Sequence, residues 1–176
     1  MSIRNLLSGI DSYILENYHT LTCEQLANLY LEFIESLRVN NLNTNNLTGL
    51  TEIIFSRAFY FYNKKAIDEG KITIVNNANL AGQQPDLVIY ASGLPVASVE
   101  IKSNYSNILQ DCERHQQVYK HHHDINLLTI AFEVKQKSNM NKLNAILNED
   151  AIYRVLVLNQ SQELFKDELK RINLIF

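Results

Sequence analysis

The N-terminal part of the chain places apolar residues three and four positions apart, the spacing of amphipathic helices. The spacing predicts three helices, over Leu6 to Leu15, Leu26 to Leu37 and Leu50 to Glu69. Thr22 and Gln25 fit a capping box, because a hydroxyl and an amide at this spacing each satisfy a backbone donor at a helix start. Gly70 accepts the left-handed conformation that follows many helices. We therefore expect helical structure up to Gly70.

After Gly70 the pattern changes to short runs rich in β-branched residues, which are typical of strands. Five strands are predicted, over Ile72 to Val75, Leu87 to Tyr90, Val96 to Ile101, Leu127 to Val134 and Ile152 to Leu158. Helices are predicted between and after the later strands, over Ser106 to His122, Met140 to Asn148 and Ser161 to Arg171. This order indicates an α/β domain with a mixed sheet, helices on its faces and an antiparallel hairpin at its centre.

The polar run from Asn40 to Asn46 interrupts the helical pattern. We place a boundary there, between an N-terminal helical arm over residues 1–47 and a core over residues 48–176. A chain of 176 residues fits a single compact domain overall, with no room for a motor or a second catalytic module.

Composition narrows the class of protein. Apolar residues make up 46% and charged residues 20%, which excludes disorder and a membrane-spanning chain. Cys23 and Cys112 lie far apart and the start of the chain shows no signal-peptide pattern, so we expect a cytoplasmic protein with reduced thiols. Because the net charge is −3, any surface for nucleic acid has to be local.

The candidate chemistry lies in residues 84–102, where Asp86, Glu100 and Lys102 interrupt segments that otherwise resemble buried strands. Glu100 and Lys102 share one strand face, because residues two apart point the same way. A three-residue turn over residues 92–94 would place Asp86 opposite Glu100, whereas a two-residue turn would put the two carboxylates on opposite faces. The convergence of the carboxylates thus depends on the turn.

Two carboxylates held this close repel each other unless a counter-charge is present. Lys102 and a divalent cation are the two candidates, and oxygen ligands favour Mg²⁺, for which Mn²⁺ can substitute. A cation at this position would bind a phosphate oxygen while Lys102 orients the attacking water. These are the parts needed to hydrolyse a phosphodiester bond.

The same residues resemble a known family. Pro85-Asp86, thirteen residues and then Glu100-Ile101-Lys102 resemble the signature of the PD-(D/E)XK nuclease superfamily, and the segment from Pro85 to Lys102 is similar to the nuclease domain of type I restriction-enzyme subunits. The resemblance implies a restriction-endonuclease-like core preceded by N-terminal helices. It also implies that Asp86 and Glu100 are metal ligands and that Lys102 is the catalytic lysine.

Two further residues join the site through this resemblance. The family places an acid on the helix before the strands, and Glu52 is the match, as a third metal ligand. Its alternative role is a first-turn carboxylate that interacts with the helix dipole. Gln116, three residues before Tyr119, matches a later motif and would contact the site or the DNA backbone; the alternative is a solvated amide beside a ring at the edge of the core.

Two other functions are disfavoured. The chain has no GxxxxGK[ST] phosphate loop, so we expect no ATP-driven translocation, unlike the large restriction subunits. Cys112, His115 and the run from His121 to His123 invite a zinc hypothesis. Adjacent histidines on a helix point in different directions, whereas zinc needs three or four convergent ligands, so we do not favour it.

The sequence thus predicts a stand-alone, Mg²⁺-dependent endodeoxyribonuclease of restriction, homing or mobile-element type, with DNA and no membrane as partner. Because one site cuts one strand, a homodimer or higher homo-oligomer is expected. Three alternatives stay open: a structure-specific nuclease such as a junction resolvase, an inactive nuclease-fold DNA-binding module, and an interaction protein with no nucleic-acid role. The charged residues could also form an incidental salt bridge on an exposed strand face.

Overall fold

The structure is a computed structural model, and it describes residues 3–39, 49–104, 108–135, 141 and 153–176. The helices are α1 (Ile3–Glu16), α2 (Cys23–Val39), α3 (Gly49–Asp68), α4 (Ile108–Tyr119) and α5 (Phe165–Arg171), with a 3₁₀ turn over Leu158–Gln160. The strands are β1 (Ile72–Asn76), β2 (Leu87–Ala91), β3 (Leu94–Asn104), β4 (Asn126–Glu133) and β5 (Tyr153–Val157). The boundary predicted within residues 40–46 and the body of the helix predicted over residues 140–148 lie outside the described residues.

The five strands form one mixed sheet in the order β1-β2-β3-β4-β5. β1, β2 and β3 pair antiparallel, whereas β4 runs parallel to β3 and β5 runs parallel to β4. Antiparallel neighbours need only short turns, but the parallel step from β3 to β4 needs a crossover, which α4 supplies. The predicted α/β class, the mixed sheet flanked by helices and the antiparallel central hairpin are confirmed.

Alternate residues of the strands face two separate layers of helices. The larger core joins one sheet face to α1, α2, α3 and α5 and includes Ile14, Leu26, Phe55, Leu87, Val99, Ile130 and Phe165. The smaller core joins the other face to α4 and includes Val88, Cys112, Val118, Leu127 and Val157. Because Glu100 and Lys102 alternate with Val99 and Ile101, they lie on the face covered by α4.

The two predicted helix-end signals are present. Gln25 Oε1 accepts a hydrogen bond from the Thr22 N–H at 2.9 Å, and Thr22 Oγ1 accepts one from the Gln25 N–H at 3.1 Å, so the capping box is complete. At the other end of α3, Gly70 has φ +69° and Lys71 N–H donates to the Ala66 carbonyl at 2.8 Å. This is a Schellman motif, which ends the helix where the sequence predicts.

The last helix begins later than predicted, at Phe165 instead of Ser161. The backbone of residues 161–164 accepts hydrogen bonds from the start of α2. Cys23 N–H donates to Glu163 O and Glu24 N–H donates to Ser161 O, both at 3.0 Å. These donors belong to a helix start, where four N–H groups have no partner within the helix. The predicted start at Ser161 is therefore wrong, because a long-range contact keeps this segment out of the helix.

The turn between β2 and β3 decides between the two alternatives that the sequence left open. It has two residues, Ser92 and Gly93, with φ +51° and +78°, and Ala91 pairs with Leu94. These positive values match the turn type that suits the twist of a hairpin. Of the two alternatives, the structure thus has the two-residue turn.

A β-bulge restores the register that the shorter turn would shift. Tyr90 pairs with Pro95 but Ile89 pairs with Ala97, so Val96 has no partner residue in β2. Beyond the bulge, Leu87 pairs with Val99. Continuing this register by one residue places Asp86 opposite Glu100. The bulge also turns Val96 toward the larger core, on the sheet face opposite Glu100.

Two smaller findings complete the fold. Cys23 and Cys112 are both buried, and neither is part of a disulfide. Within the described ranges, no helix has the length and apolar character that crossing a membrane requires.

Candidate active site

Asp86, Glu100 and Lys102 meet on the sheet face covered by α4. Lys102 Nζ lies 2.8 Å from Glu100 Oε2 and 3.9 Å from Asp86 Oδ2. The Glu100 side chain is only 2% exposed, whereas Asp86 and Lys102 keep 19% and 26% of their surface. The structure therefore brings the three predicted residues together, with the ammonium group at the solvent side of a buried carboxylate.

The backbone holds Asp86 in place from both neighbouring strands. Its Oδ2 accepts a hydrogen bond from the Ile101 N–H of β3 at 2.6 Å, and its carbonyl accepts one from the Asn77 N–H after β1 at 3.3 Å. Backbone donors leave little freedom to a carboxylate, because they move only with the sheet. Asp86 Oδ1 is the oxygen left to face other groups.

Helix α4 adds two residues that sequence reasoning did not assign to the site, Asp111 and Arg114. Arg114 Nη1 lies 3.0 Å from Glu100 Oε1, and its Nη2 lies 3.3 Å from Asp111 Oδ1. Lys102 Nζ lies 3.6 Å from the same Asp111 oxygen. A signal for Asp111 was available, since it lies at helical spacing with the buried residues Cys112, His115 and Val118. A carboxylate on a buried helix face needs a partner.

Glu52 lies in the first turn of α3, which packs on the other face of the sheet. Burial raises the pKa of Glu52, the carboxylates of Asp86 and Glu100 raise it further, and Lys102 acts in the opposite direction. Asp86, Glu100 and Lys102 thus act on Glu52 electrostatically, although no hydrogen bond or ion pair between described residues joins it to them. Glu52 is a partly exposed acid within electrostatic range of the cluster.

Gln116 is exposed on α4, and no hydrogen bond between described residues joins its side chain to the carboxylates. It lines a cavity of about 230 Å³ with Cys112, His115, Tyr119, Lys120, Leu127 and Tyr153. The structure does not bring Gln116 to the cluster. A contact between Gln116 and the DNA backbone stays a prediction.

The His115 ring packs against β4 and β5 of the sheet. Its Nε2 lies 3.5 Å from Thr129 Oγ1, and its ring lies beside the ring of Tyr153. Burial lowers the pKa of His115 to about 3, and the positive charge of Arg114 lowers it in the same direction. The imidazole is therefore neutral at physiological pH and belongs to the core between α4, β4 and β5.

The charges within the cluster do not balance. Four carboxylates, Glu52, Asp86, Glu100 and Asp111, surround two cations, Lys102 and Arg114, which leaves two negative charges without a counter-charge among the described residues. Burial raises the pKa of Glu100 and of Asp111 more than the neighbouring cations lower it. The cluster therefore favours a further cation or bound protons.

Lys102 stays charged in this setting. Burial by itself lowers the pKa of its ammonium group, but the hydrogen bond to Glu100 and the charges of Glu100, Asp111 and Asp86 raise the pKa above its ordinary value. A permanently charged lysine is a poor general base. Its chemistry is that of a fixed positive charge and hydrogen-bond donor.

The donor set fits a divalent cation such as Mg²⁺ or Mn²⁺ in kind and in charge. All the acids present oxygen ligands, which these ions prefer, and a charge of two would balance the cluster. Asp111 Oδ1 is buried and makes no hydrogen bond, so it has capacity for another partner. As the side chains stand, however, the described residues contain no group of three His, Cys, Asp or Glu arranged to hold an ion. Lys102 and Arg114 lie between the carboxylates instead.

Comparison with known proteins gives no relative. No protein-family model, curated protein or solved structure significantly matches the chain. Any function has to be inferred from the residues of the site.

Proposed function

We propose that this chain is a Mg²⁺-dependent endodeoxyribonuclease with a restriction-endonuclease-like core, in which Mn²⁺ can replace Mg²⁺. The observation that carries the proposal is the position of Lys102 Nζ, 2.8 Å from Glu100 and 3.9 Å from Asp86, on the central strand β3, which runs parallel to β4. A buried acid, a backbone-anchored acid and a charged lysine are the set that the PD-(D/E)XK resemblance requires.

Each side chain has a separate role in the proposed reaction. Asp86 and Glu100 would hold the cation, and Glu52 would hold it from the side of α3. The bound cation would supply Lewis acidity and positive charge at the phosphate. Lys102 would donate hydrogen bonds to the attacking water and to the phosphate, where negative charge grows in the transition state. Gln116 is left with the DNA backbone as its expected partner.

The chemistry balances as a simple hydrolysis. A water oxygen forms a bond to phosphorus, the bond from phosphorus to the 3′ oxygen breaks, and the leaving oxygen takes a proton from solvent. The products are a 5′-phosphate and a 3′-hydroxyl. Because Lys102 remains charged, the attacking water loses its proton to solvent.

A cleavage assay tests the proposal. Supercoiled, linear, branched and single-stranded DNA are incubated with the protein, with Mg²⁺ or with EDTA. We expect cleavage only with Mg²⁺, and a fall of at least about a hundredfold in D86A and K102A, since each loses a group that acts on the transition-state charge. Lys170→Ala on α5, which faces solvent away from the cluster, is the matched control and should cut normally. Full activity in K102A would refute the assignment.

The same assay separates the kinds of nuclease. Preference for branched DNA would favour a junction resolvase. Cleavage of both strands of linear DNA would favour a homodimer or larger assembly, since one site cuts one strand, and light scattering would show whether one exists.

One observation favours an inactive nuclease-fold DNA-binding module as a second candidate. Both carboxylate oxygens of Glu100 already lie in ion pairs, with Lys102 and with Arg114. DNA binding without binding of Mn²⁺ and without cleavage would select this candidate. Weak association with DNA that does not depend on salt would instead indicate an interaction protein.

A further inference from the structure

Both carboxylate oxygens of Glu100 contact cationic side chains of the protein. Its Oε2 lies 2.8 Å from Lys102 Nζ and its Oε1 lies 3.0 Å from Arg114 Nη1. The side chain is 2% exposed, so it has no open side toward solvent. A divalent cation that binds Glu100 therefore competes with these two cationic groups for the same carboxylate oxygens.

Arg114 is the group that can leave. Lys102 stands on the same strand as Glu100 and also lies near Asp86 and Asp111, so three carboxylates hold it. Arg114 comes from α4, and 38% of its side chain is exposed. Its long side chain can swing outward while the ammonium group of Lys102 stays in place.

Asp111 offers Arg114 a second partner one turn earlier on the same helix. Asp111 Oδ1 lies 3.3 Å from Arg114 Nη2, within ion-pair range, but this buried oxygen makes no hydrogen bond. A buried carboxylate oxygen without a hydrogen bond costs free energy, and the cost disappears when a donor moves into place. A guanidinium that leaves Glu100 can therefore donate a hydrogen bond to Asp111 Oδ1.

We propose that Arg114 is an internal counter-ion that competes with the divalent cation for Glu100, and that Asp111 is the positioning residue that keeps the displaced guanidinium beside the site. The cation-free protein keeps a buried glutamate neutralised, and cation binding exchanges one positive group for another. The inference rests on the proposed function only in requiring that the site takes a divalent cation, and it holds whether or not DNA is cut.

Binding of Mn²⁺ alone to the DNA-free protein, measured by calorimetry, tests the competition. We expect Arg114→Met to bind Mn²⁺ about tenfold more tightly, because a positive charge close to the ion is removed from a partly solvated site. Arg114→Lys keeps the charge and should bind like the unmodified protein. Lys120→Met, at an exposed lysine directly after α4, is the matched control and should change the affinity less than about twofold. Affinity in Arg114→Met that stays equal or becomes weaker would overturn the inference.

A double-mutant cycle tests the role of Asp111. Asp111→Asn should weaken Mn²⁺ binding about tenfold, partly through its own charge and partly because Arg114 returns to Glu100. In the Arg114→Met background there is no guanidinium to return to Glu100. Asp111→Asn should then weaken Mn²⁺ binding only about threefold, through the loss of its own charge. Equal losses in the two backgrounds would show that Asp111 does not position Arg114. Glu113→Gln, the exposed neighbour on α4, is the control.

The results separate this inference from the proposed function. Tighter Mn²⁺ binding in Arg114→Met without DNA cleavage by any variant would refute the nuclease and support the competition. DNA cleavage together with an unchanged Mn²⁺ affinity in Arg114→Met would support the nuclease and refute the competition. If the unmodified protein binds no Mn²⁺, binding gained in Arg114→Met supports the competition, and its absence from both proteins overturns it. Circular dichroism checks that each variant folds. If Arg114→Met does not fold, Arg114→Gln removes the same charge and takes its place, with the same expected gain in Mn²⁺ affinity.

Discussion

Replacing Lys102 by Met should destabilise the protein at neutral pH, whether or not the site is catalytic. The change keeps the length of the side chain but removes one of two positive charges that face four carboxylates. The uncompensated negative charge then rises from two to three, and Glu100 keeps only Arg114 as a partner.

The size of the effect follows from burial. Breaking a fully buried ion pair by removing one partner costs about 3–5 kcal/mol. Because 26% of the Lys102 side chain is exposed, solvent screens part of the repulsion, and we expect about 1–3 kcal/mol. In a domain of this size, each 1 kcal/mol lowers the melting temperature by about 2–4 °C. The melting temperature should therefore fall by roughly 2–12 °C.

The loss of stability in Lys102→Met should depend on pH. The pKa values of Glu52, Glu100 and Asp111 are already raised, and removing Lys102 raises them further. A carboxyl group with a raised pKa in the folded state destabilises the fold at neutral pH, and the penalty disappears as pH falls through the raised pKa toward the ordinary value of about 4. The difference between Lys102→Met and the unmodified protein should thus shrink from pH 7 to pH 5.

Thermal unfolding followed by circular dichroism at pH 7 and pH 5 measures the effect. Lys170→Met, which removes an exposed lysine from a surface pair with Asp167, is the control and should change stability by less than about 0.5 kcal/mol. A Lys102→Met protein as stable as the unmodified one at pH 7 would show that the ammonium group does not neutralise the cluster. A loss that grows as pH falls would show that the direction of the pKa shifts is wrong.

Three further outcomes are expected. Mn²⁺ affinity should fall as pH drops, because the raised pKa values of Glu100 and Asp111 make protons compete with the ion. Calorimetry in two buffers should show proton release, and pH-independent binding would contradict this. The ring signals of His115 should not titrate between pH 5 and pH 8 in NMR spectra, since its pKa is about 3, and titration near 6.5 would show that the ring is not buried. Ser92→Asn should stabilise the hairpin by a few tenths of a kcal/mol, because Asn tolerates φ +51° better than Ser; a lower midpoint in urea unfolding would count against the turn type.

The sequence predicted the elements whose signals are local. Apolar spacing located α1, α2 and α3, and the capping box and Gly70 marked two of their ends. The start of α5 was wrong because residues 161–164 are held by backbone bonds to the start of α2, and such a bond between distant segments leaves no periodic trace.

The sequence predicted those site residues whose positions the β-sheet fixes. Asp86, Glu100 and Lys102 lie on neighbouring strands, where alternation and register decide which side chains meet. Register was also the weak step, because Val96 resembles an ordinary strand residue and nothing in its type marks a bulge. Asp111 and Arg114 come from a helix whose rotation against the sheet is set by packing, so spacing alone did not bring them to Glu100.

Val96 is an extra residue of β3 without a partner in β2, so β3 can lose one residue there without a change of register further along the strand. If Val96 were lost, Pro95 and Ala97 would become neighbours, the two-residue turn would continue into an unbroken ladder, and Asp86 would still face Glu100. The tip at Ser92 and Gly93 is exposed and stands about 20 Å along the strand from Asp86. Length changes between the tip and the bulge can therefore be absorbed before they reach the carboxylates, which makes this hairpin a tolerant place for insertions or labels in a protein whose chemistry lies at the other end of the same strands.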